Sequence, residues 1–264
     1  MQPALILLEY FPFGRETAAL YLAPFLEAVR ERAARPRVVS STREIGERQA
    51  EDQPAYDRRV VRMANRLIDA VLVHGDTSVL GLTDTFSAAG DLSMPVFHTG
   101  YVVPGADAMP PSPPSSAPCV VVSAGSGRGC LPLLKLAIAA QRADLGRDFT
   151  MRVFGGLLLA DSEWRDVEAA AAGVPGVELI RQTENLAAQI AAGTVSLSRA
   201  GYNTVLDVVR AGRPAVVVPF VPDGDDEQRV RAQAFEARGV LRADRKSTRL
   251  NSSHVSESRM PSSA

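Results

Sequence analysis

The sequence predicts an α/β protein made of two parallel sheets, each wrapped by helices. Three observations carry that expectation. Short apolar runs and helix-period stripes alternate through both halves of the 264 residues, and this alternation suits a parallel sheet covered by helices. Residues 104–118 hold six prolines, a density that no helix or central strand survives. In the second half, glycine-rich turns stand where strands hand over to helices.

The first half opens with an apolar run, Ala4 to Glu9, that reads as a buried strand. The turn Phe11-Pro12-Phe13-Gly14-Arg15 follows, and then Leu22, Phe25, Leu26 and Val29 recur at helical spacing. Arg37 to Ser40 is a second strand, and Val60, Met63, Ala64, Leu67 and Ile68 form a second helical stripe. Ala70 to Val73 is a strand ending at His74-Gly75-Asp76, and Val96 to Thr99 is the last strand of this half. The expected boundaries are a domain over 1–103, a proline-rich linker over 104–118 and a second domain over 119–242.

The second domain restarts the pattern with a strand over Cys119 to Val122 and the loop Gly125-Ser126-Gly127-Arg128-Gly129. Helices are expected over Leu131 to Arg142, Ser162 to Ala172, Glu184 to Ala192, Asn203 to Ala211 and Gln228 to Arg238, with Asn203 as an N-cap. Strands are expected over Met151 to Phe154, Val177 to Ile180, Val195 to Leu197 and Ala215 to Val218. Residues 243–264 hold seven serines and no apolar periodicity. They read as a disordered tail, and the string from Arg245 resembles translated sequencing-adapter sequence, so they are left out of the fold.

Bulk properties narrow the function. A net charge of -1 and a pI near 6.3 argue against a protein held to nucleic acid by phosphate neutralisation. Two cysteines, Cys119 and Cys130, make no disulfide framework. No apolar run reaches the roughly 18 residues of a membrane span. A cytoplasmic protein is expected, with peripheral contact at the inner membrane face left open. His74, His98 and His254 are scattered, so no metal site is expected.

The chemistry concentrates in two junctions. Ser198-Arg199-Ala200-Gly201 turns from strand into helix, with Thr204 and Asp207 inside that helix. Unpaired amides and the helix dipole make such a start an anion site, and Asp207 is close enough to take hydroxyls of the same ligand. Phosphate beside a diol describes a nucleotide. The loop of Gly125, Ser126 and Gly127 lets backbone approach phosphate, and Arg128 can add a charge-assisted hydrogen bond. The bland alternatives are a plain strand-to-helix turn and an acid that only complements the helix dipole. A dinucleotide fingerprint fits poorly, because the spacing is G-x-G-x-G and the next strand ends in Gly155-Gly156.

Together with Gly212-Arg213-Pro214, Val218-Pro219-Phe220 and Glu227-Gln228, these pieces resemble the C-terminal donor-binding domain of bacterial glycosyltransferases of the family 28 type, similar to the peptidoglycan N-acetylglucosaminyl transferase. The resemblance implies two Rossmann-like domains in a glycosyltransferase B arrangement, the first of them incomplete. It implies transfer of a hexosyl or N-acetylhexosaminyl group from a nucleoside-diphosphate sugar, a UDP-sugar favoured, without metal or cofactor and with inversion. Gly125, Ser126, Gly127, Arg128, Ser198, Arg199, Ala200, Gly201, Thr204, Asp207, Glu227 and Gln228 are then the expected donor contacts. Asp207 takes the ribose, where the family carries glutamate, and Glu227 and Gln228 take donor-sugar hydroxyls. Arg15 and Glu16 become acceptor-side candidates, although an aromatic turn packed on its own sheet is as good a reading.

His74, at a strand end, is a candidate general base. The resemblance instead places the base in a glycine-rich loop ahead of residue 1, so the chain is expected to be a fragment with little or no turnover. A nucleotide-sugar epimerase of the same fold and a non-catalytic nucleotide-sugar-binding subunit are the alternatives. The absence of histidine between 119 and 242 disfavours the epimerase.

Overall fold

The computed structural model describes residues 3–48, 52–103, 117–127, 129–143, 149–222 and 225–244. Most of the proline-rich stretch, Arg128 and the tail from residue 245 lie outside the described residues. The chain divides into two compact units, Met1–Val103 with Asp223–Glu227, and Pro104–Pro222 with Gln228–Ala264.

The first unit is a four-stranded parallel sheet of β1 (Leu5–Glu9), β2 (Arg37–Arg43), β3 (Ala70–His74) and β4 (Val96–His98), in that spatial order. The crossovers carry helices α1 (Ala19–Arg30), α2 (Gln53–Leu67) and the short α3 (Leu82–Thr85). Asp52 starts α2 by accepting the Ala55 N–H at 2.9 Å. Its buried residues Tyr56, Val60, Ala64 and Leu67 recur at helical spacing. They join Leu26 and Val29 of α1 and Val38, Val71 and Val73 of the strands in one core. Strand β2 runs three residues beyond the expected Ser40. Its inward positions there are polar, Ser40 and Thr42, and Ser40 Oγ donates to the Phe11 carbonyl at 2.6 Å. That bond satisfies a hydroxyl that on composition alone ends the strand.

The second unit is a six-stranded parallel sheet in the order β10-β9-β8-β5-β6-β7. Its strands are β5 (Cys119–Ser123), β6 (Thr150–Phe154), β7 (Val177–Ile180), β8 (Val195–Ser198), β9 (Ala215–Val217) and β10 (Arg242–Ala243). Helices α4 (Leu131–Arg142), α5 (Asp161–Ala171), α6 (Leu186–Ala192), α7 (Tyr202–Ala211) and α8 (Glu227–Ala237) fill the connections. Strands β5 to β7 step outward in one direction, and β8 to β10 step outward in the other. The order therefore reverses between β5 and β8, and open α/β sheets bind ligands outside the carboxyl ends at such a reversal. Val121 and Val122 are both fully enclosed, so β5 is covered on both faces.

Three expectations need correction. The first strand forms where expected, but none of the five residues of β1 is buried. Helix α7 starts at Tyr202 with Gly201 at the N-cap, so Asn203 sits exposed in the first turn and does not cap. The strand preference of Ala200-Gly201 is weak, and the chain is free to enter the helix as soon as the turn closes. The ordered chain also continues past residue 242, because Ala243 pairs with Val217 and the Asp244 N–H donates to the Val217 carbonyl at 2.8 Å. Two paired residues give too short a pattern to be legible as a strand.

Candidate nucleotide-binding site

The reversal brings the two glycine junctions together. Ser123, the last residue of β5, is registered directly beside Ser198, the last of β8. Both loops thus leave the same edge of the sheet from neighbouring strands. Gly125 has φ of +63°, and a Cβ there would stand 3.0 Å from Thr204 Oγ1. Glycine both permits the left-handed turn and lets helix α7 approach the loop. Asp207 follows Thr204 by three residues on α7 and shares its face. No side-chain bond caps α7 at Gly201, so the amides of its first turn point out of the helix end.

A third loop supports the first. The Ser126 carbonyl accepts the Leu158 N–H at 2.7 Å. Gly156, at φ of +87°, comes so close that a Cβ would stand 2.5 Å from the Gly125 oxygen. Gly127 is buried against Leu159, and the Ser126 side chain is exposed. Loop one is therefore braced by the turn after β6.

The Ser198-to-Gly201 junction is held by side chains from elsewhere in the second unit. Gln228 Oε1 accepts the Ala200 N–H at 3.0 Å and the Phe220 N–H at 3.1 Å. Two main-chain donors fix which end of that amide is the oxygen. Arg199 is buried; its guanidinium donates to the Gly129 carbonyl at 2.8 Å and the Val218 carbonyl at 3.2 Å, 5.3 Å from the centre of the Phe220 ring. Burial pulls its pKa below the ordinary arginine value. In this geometry Arg199 positions both loops and does not point a free fork at a ligand. Ser198 Oγ is buried without a hydrogen-bond partner, and Ala200 is fully enclosed.

Asp207 is partly buried on α7, one turn beyond Thr204. Burial raises its pKa above the usual aspartate range, with Arg210 offsetting part of the effect. A carboxylate kept in a costly place without a capping role is a candidate for binding. Arg231 went unremarked in the sequence. It is 1% exposed, donates to the Ala200 carbonyl at 3.3 Å and lies 5.5 Å from the centre of the Tyr202 ring. The signal existed, since Gln228, Arg231 and Phe235 recur at helical spacing on α8.

The remaining candidates stand apart. Arg128 lies outside the described residues. Glu227 opens α8, where its N–H donates to Asp225 Oδ1 at 3.0 Å, and it groups with the first unit. In that unit, Arg15 has φ of +58° and its guanidinium is 3.8 Å from Glu9. Glu16 lies in a 3-10 turn, and its side chain is outside the described set. Phe11 and Phe13 are buried in the core of the sheet, so the aromatic part of this turn does pack on its own sheet. His74 is held on both ring nitrogens, Nε2 at 2.6 Å from Ser41 Oγ and Nδ1 at 2.8 Å from Thr99 Oγ1. Burial lowers its pKa. Among the described residues no group of three or more His, Cys, Asp or Glu is arranged to hold a metal ion. Likewise no helix among them is long and apolar enough to cross a membrane.

Two Rossmann-like α/β units, the first incomplete, with a loop-and-helix site at the strand reversal of the second, define the glycosyltransferase B class of fold. Solved structures agree. The glycotransferase of kitacinnamycin is 16% identical with a TM-score of 0.56, covering 96% of this chain and 67% of that one. The calicheamicin glycosyltransferase CalG4 is 17% identical with a TM-score of 0.57, covering 94% and 65%. Acinetobacter baumannii MurG is 18% identical with a TM-score of 0.50, covering 96% and 90%.

Within that class the second unit is similar to one family: residues 161–254 match the glycosyltransferase family 28 C-terminal domain. Two curated relatives are UDP-N-acetylglucosamine--N-acetylmuramyl-(pentapeptide) pyrophosphoryl-undecaprenol N-acetylglucosamine transferases. The Opitutus terrae enzyme is 44% identical over 50 residues, 19% of this chain and 13% of that one. The Methylobacterium radiotolerans enzyme is 34% identical over 73 residues, 28% of this chain and 20% of that one. The matches thus span well under half of either curated relative.

Proposed function

We propose that the second unit binds a nucleoside-diphosphate sugar, a UDP-sugar by preference, as the donor half of a glycosyltransferase. The observation that carries this reading is the convergence at the strand reversal. Gly125 meets Thr204, and Asp207 stands one helical turn further along the same face. Transfer from such a donor requires stabilisation of a diphosphate leaving group. The loop amides and the α7 N-terminus supply partial positive charge for that purpose without a metal. Asp207 takes the ribose hydroxyls, paying back its burial cost through charge-assisted bonds. Gln228 and Arg199 act by positioning the loops. The transferred group is a hexosyl or N-acetylhexosaminyl unit, delivered with inversion, and Arg15 and Glu16 of the first unit are the candidates to hold the acceptor. Peripheral contact with the inner membrane face fits an amphiphilic acceptor.

The test is a thermal-shift panel of UDP-, TDP- and GDP-sugars on the wild type and on Asp207→Ala. A ligand at about 100 times its Kd stabilises by about 2.7 kcal/mol, which is a readily measured rise in Tm. The expected outcome is a rise with UDP-sugar in the wild type and none in the variant. Equal shifts in both, or none with any nucleotide sugar, overturns the reading.

A further inference from the structure

The outward face of the first sheet carries a hydroxyl–imidazole–hydroxyl chain that the nucleotide reading does not use. Side chains alternate along a strand. Ser40 and Thr42 are buried on the core side of β2, so Ser41 between them points outward and is half-buried. On β3, Val73 is buried and His74 is half-buried on the outward side. The two strands run parallel, with Ser41 beside Leu72 and Arg43 beside His74. That register makes Ser41 and His74 diagonal neighbours, and Ser41 Oγ lies 2.6 Å from His74 Nε2. Thr99, just past β4, places its Oγ1 2.8 Å from His74 Nδ1.

Thr99 decides where the protons are. Its Oγ1 also lies 2.9 Å from the Gly100 carbonyl and 3.4 Å from the Val73 carbonyl. A carbonyl only accepts, so the single hydroxyl proton of Thr99 is committed there. The Thr99 oxygen then accepts the Nδ1–H of His74, which leaves the lone pair on Nε2. Ser41 donates its O–H to that lone pair. Ser40, one residue back, donates instead to the Phe11 carbonyl, which cannot carry a proton away; an imidazole can. Burial lowers the His74 pKa, so the ring is neutral near neutral pH and able to act as a base. A hydroxyl bonded to a base that a third group orients is an activated nucleophile.

We propose that Ser41, His74 and Thr99 form a nucleophilic site that takes up the acyl group of an apolar ester. Ser41 Oγ bonds to the ester carbonyl carbon while its proton passes to His74 Nε2. The ester C–O bond then breaks, the leaving oxygen takes that proton from His74, and the alcohol departs with the acyl group left on Ser41. Thr99 is a positioning residue that holds the tautomer. Leu72 and Phe97 continue the row of Ser41 on the same face, and Phe97 is 54% exposed, so an apolar acyl chain finds contact beside the nucleophile. Glu9, next to Ser41 in register, repels an anionic acyl group, and Arg43 beside His74 disfavours a charged ring. This site does not depend on the nucleotide reading.

Acylation by p-nitrophenyl acetate and p-nitrophenyl hexanoate tests it, with mass spectrometry locating the modified residue. The expected result is one acyl group per chain, on Ser41, transferred faster from the hexanoate. His74→Gln should slow the reaction on the order of 100-fold, the usual worth of a positioned base. Thr99→Val should slow it as well, and Thr99→Ser should restore it. Acylation spread evenly over the serines, or a rate at Ser41 indifferent to His74→Gln, overturns the proposal. Faster transfer from the acetate overturns the apolar substrate class. Heteronuclear NMR of the imidazole nitrogens in the chain with His74 and Ser41 intact decides the matter if a variant fails to fold, with His74 assigned through substitution of the other two histidines. A bare Nε2 and a protonated Nδ1 near neutral pH support the relay, and a proton on Nε2 overturns it.

Discussion

Gln228 binds two main-chain N–H groups with one oxygen, so its removal strands two donors at once. Gln228→Ala should destabilise the chain by about 1–3 kcal/mol, the cost of leaving buried donors unsatisfied; the urea midpoint measures it. A glutamate there could accept the same two bonds, but its charge would oppose the anion expected at the junction. Asp207 behaves in the opposite sense. Its carboxyl pKa is raised by burial, so the charged form is disfavoured by folding, and stability falls as pH rises past the ordinary aspartate value. Asp207→Asn should therefore keep or raise the Tm of the free chain and abolish the rise induced by UDP-sugar. A variant that loses Tm while keeping the ligand response would assign Asp207 to structure alone. Residue identity was enough to nominate Asp207, because an acid one turn into a glycine-started helix has few uses. It was not enough for Arg199. A cation in a glycine turn reads as a phosphate ligand until Gly129, Val218 and Phe220 are seen to enclose it.

At the scale of elements, the strand–helix alternation was legible because buried parallel strands are apolar runs and their helices are amphipathic. That the two glycine junctions share an edge was not legible from either motif. It follows from β8 returning to lie beside β5, a long-range pairing that local pattern does not encode. The inward Ser40 of β2 and the two-residue β10 escaped for a related reason, since tertiary bonds replace the missing apolar signal there. The brace between loops makes a prediction of its own. Alanine at Gly156 would put a Cβ 2.5 Å from the Gly125 oxygen at φ of +87°, with main chain on both sides and no room to yield. Gly156→Ala should cost about 2–4 kcal/mol, as overpacking and a strained φ combine, and should weaken nucleotide binding with it. Chemical denaturation and the thermal-shift assay together check this. Unchanged binding in a destabilised variant would separate the brace from the site.

For the whole molecule, pH reports on the first unit through one carboxylate. Asp69 accepts both guanidinium nitrogens of Arg35, at 2.7 and 2.9 Å, and the Val38 N–H at 2.8 Å. The Arg35 hydrogen bonds lead in holding its pKa down to about 2. A depressed carboxyl stabilises the fold above its unfolded value of about 3.9, and that contribution is lost as pH falls from there toward the folded value. The urea midpoint of the wild type should therefore drop between about pH 4 and pH 2, and Asp69→Asn, weaker at neutral pH, should show a shallower drop. Parallel curves would remove Asp69 from the account. The placement of this carboxylate has a further consequence. It ties the entry of β2 to the entry of β3, whereas Tyr10, Arg15 and His74 lie at the exits. Acid therefore removes a tie at the rim of the sheet opposite the one where Tyr10, Arg15 and His74 stand.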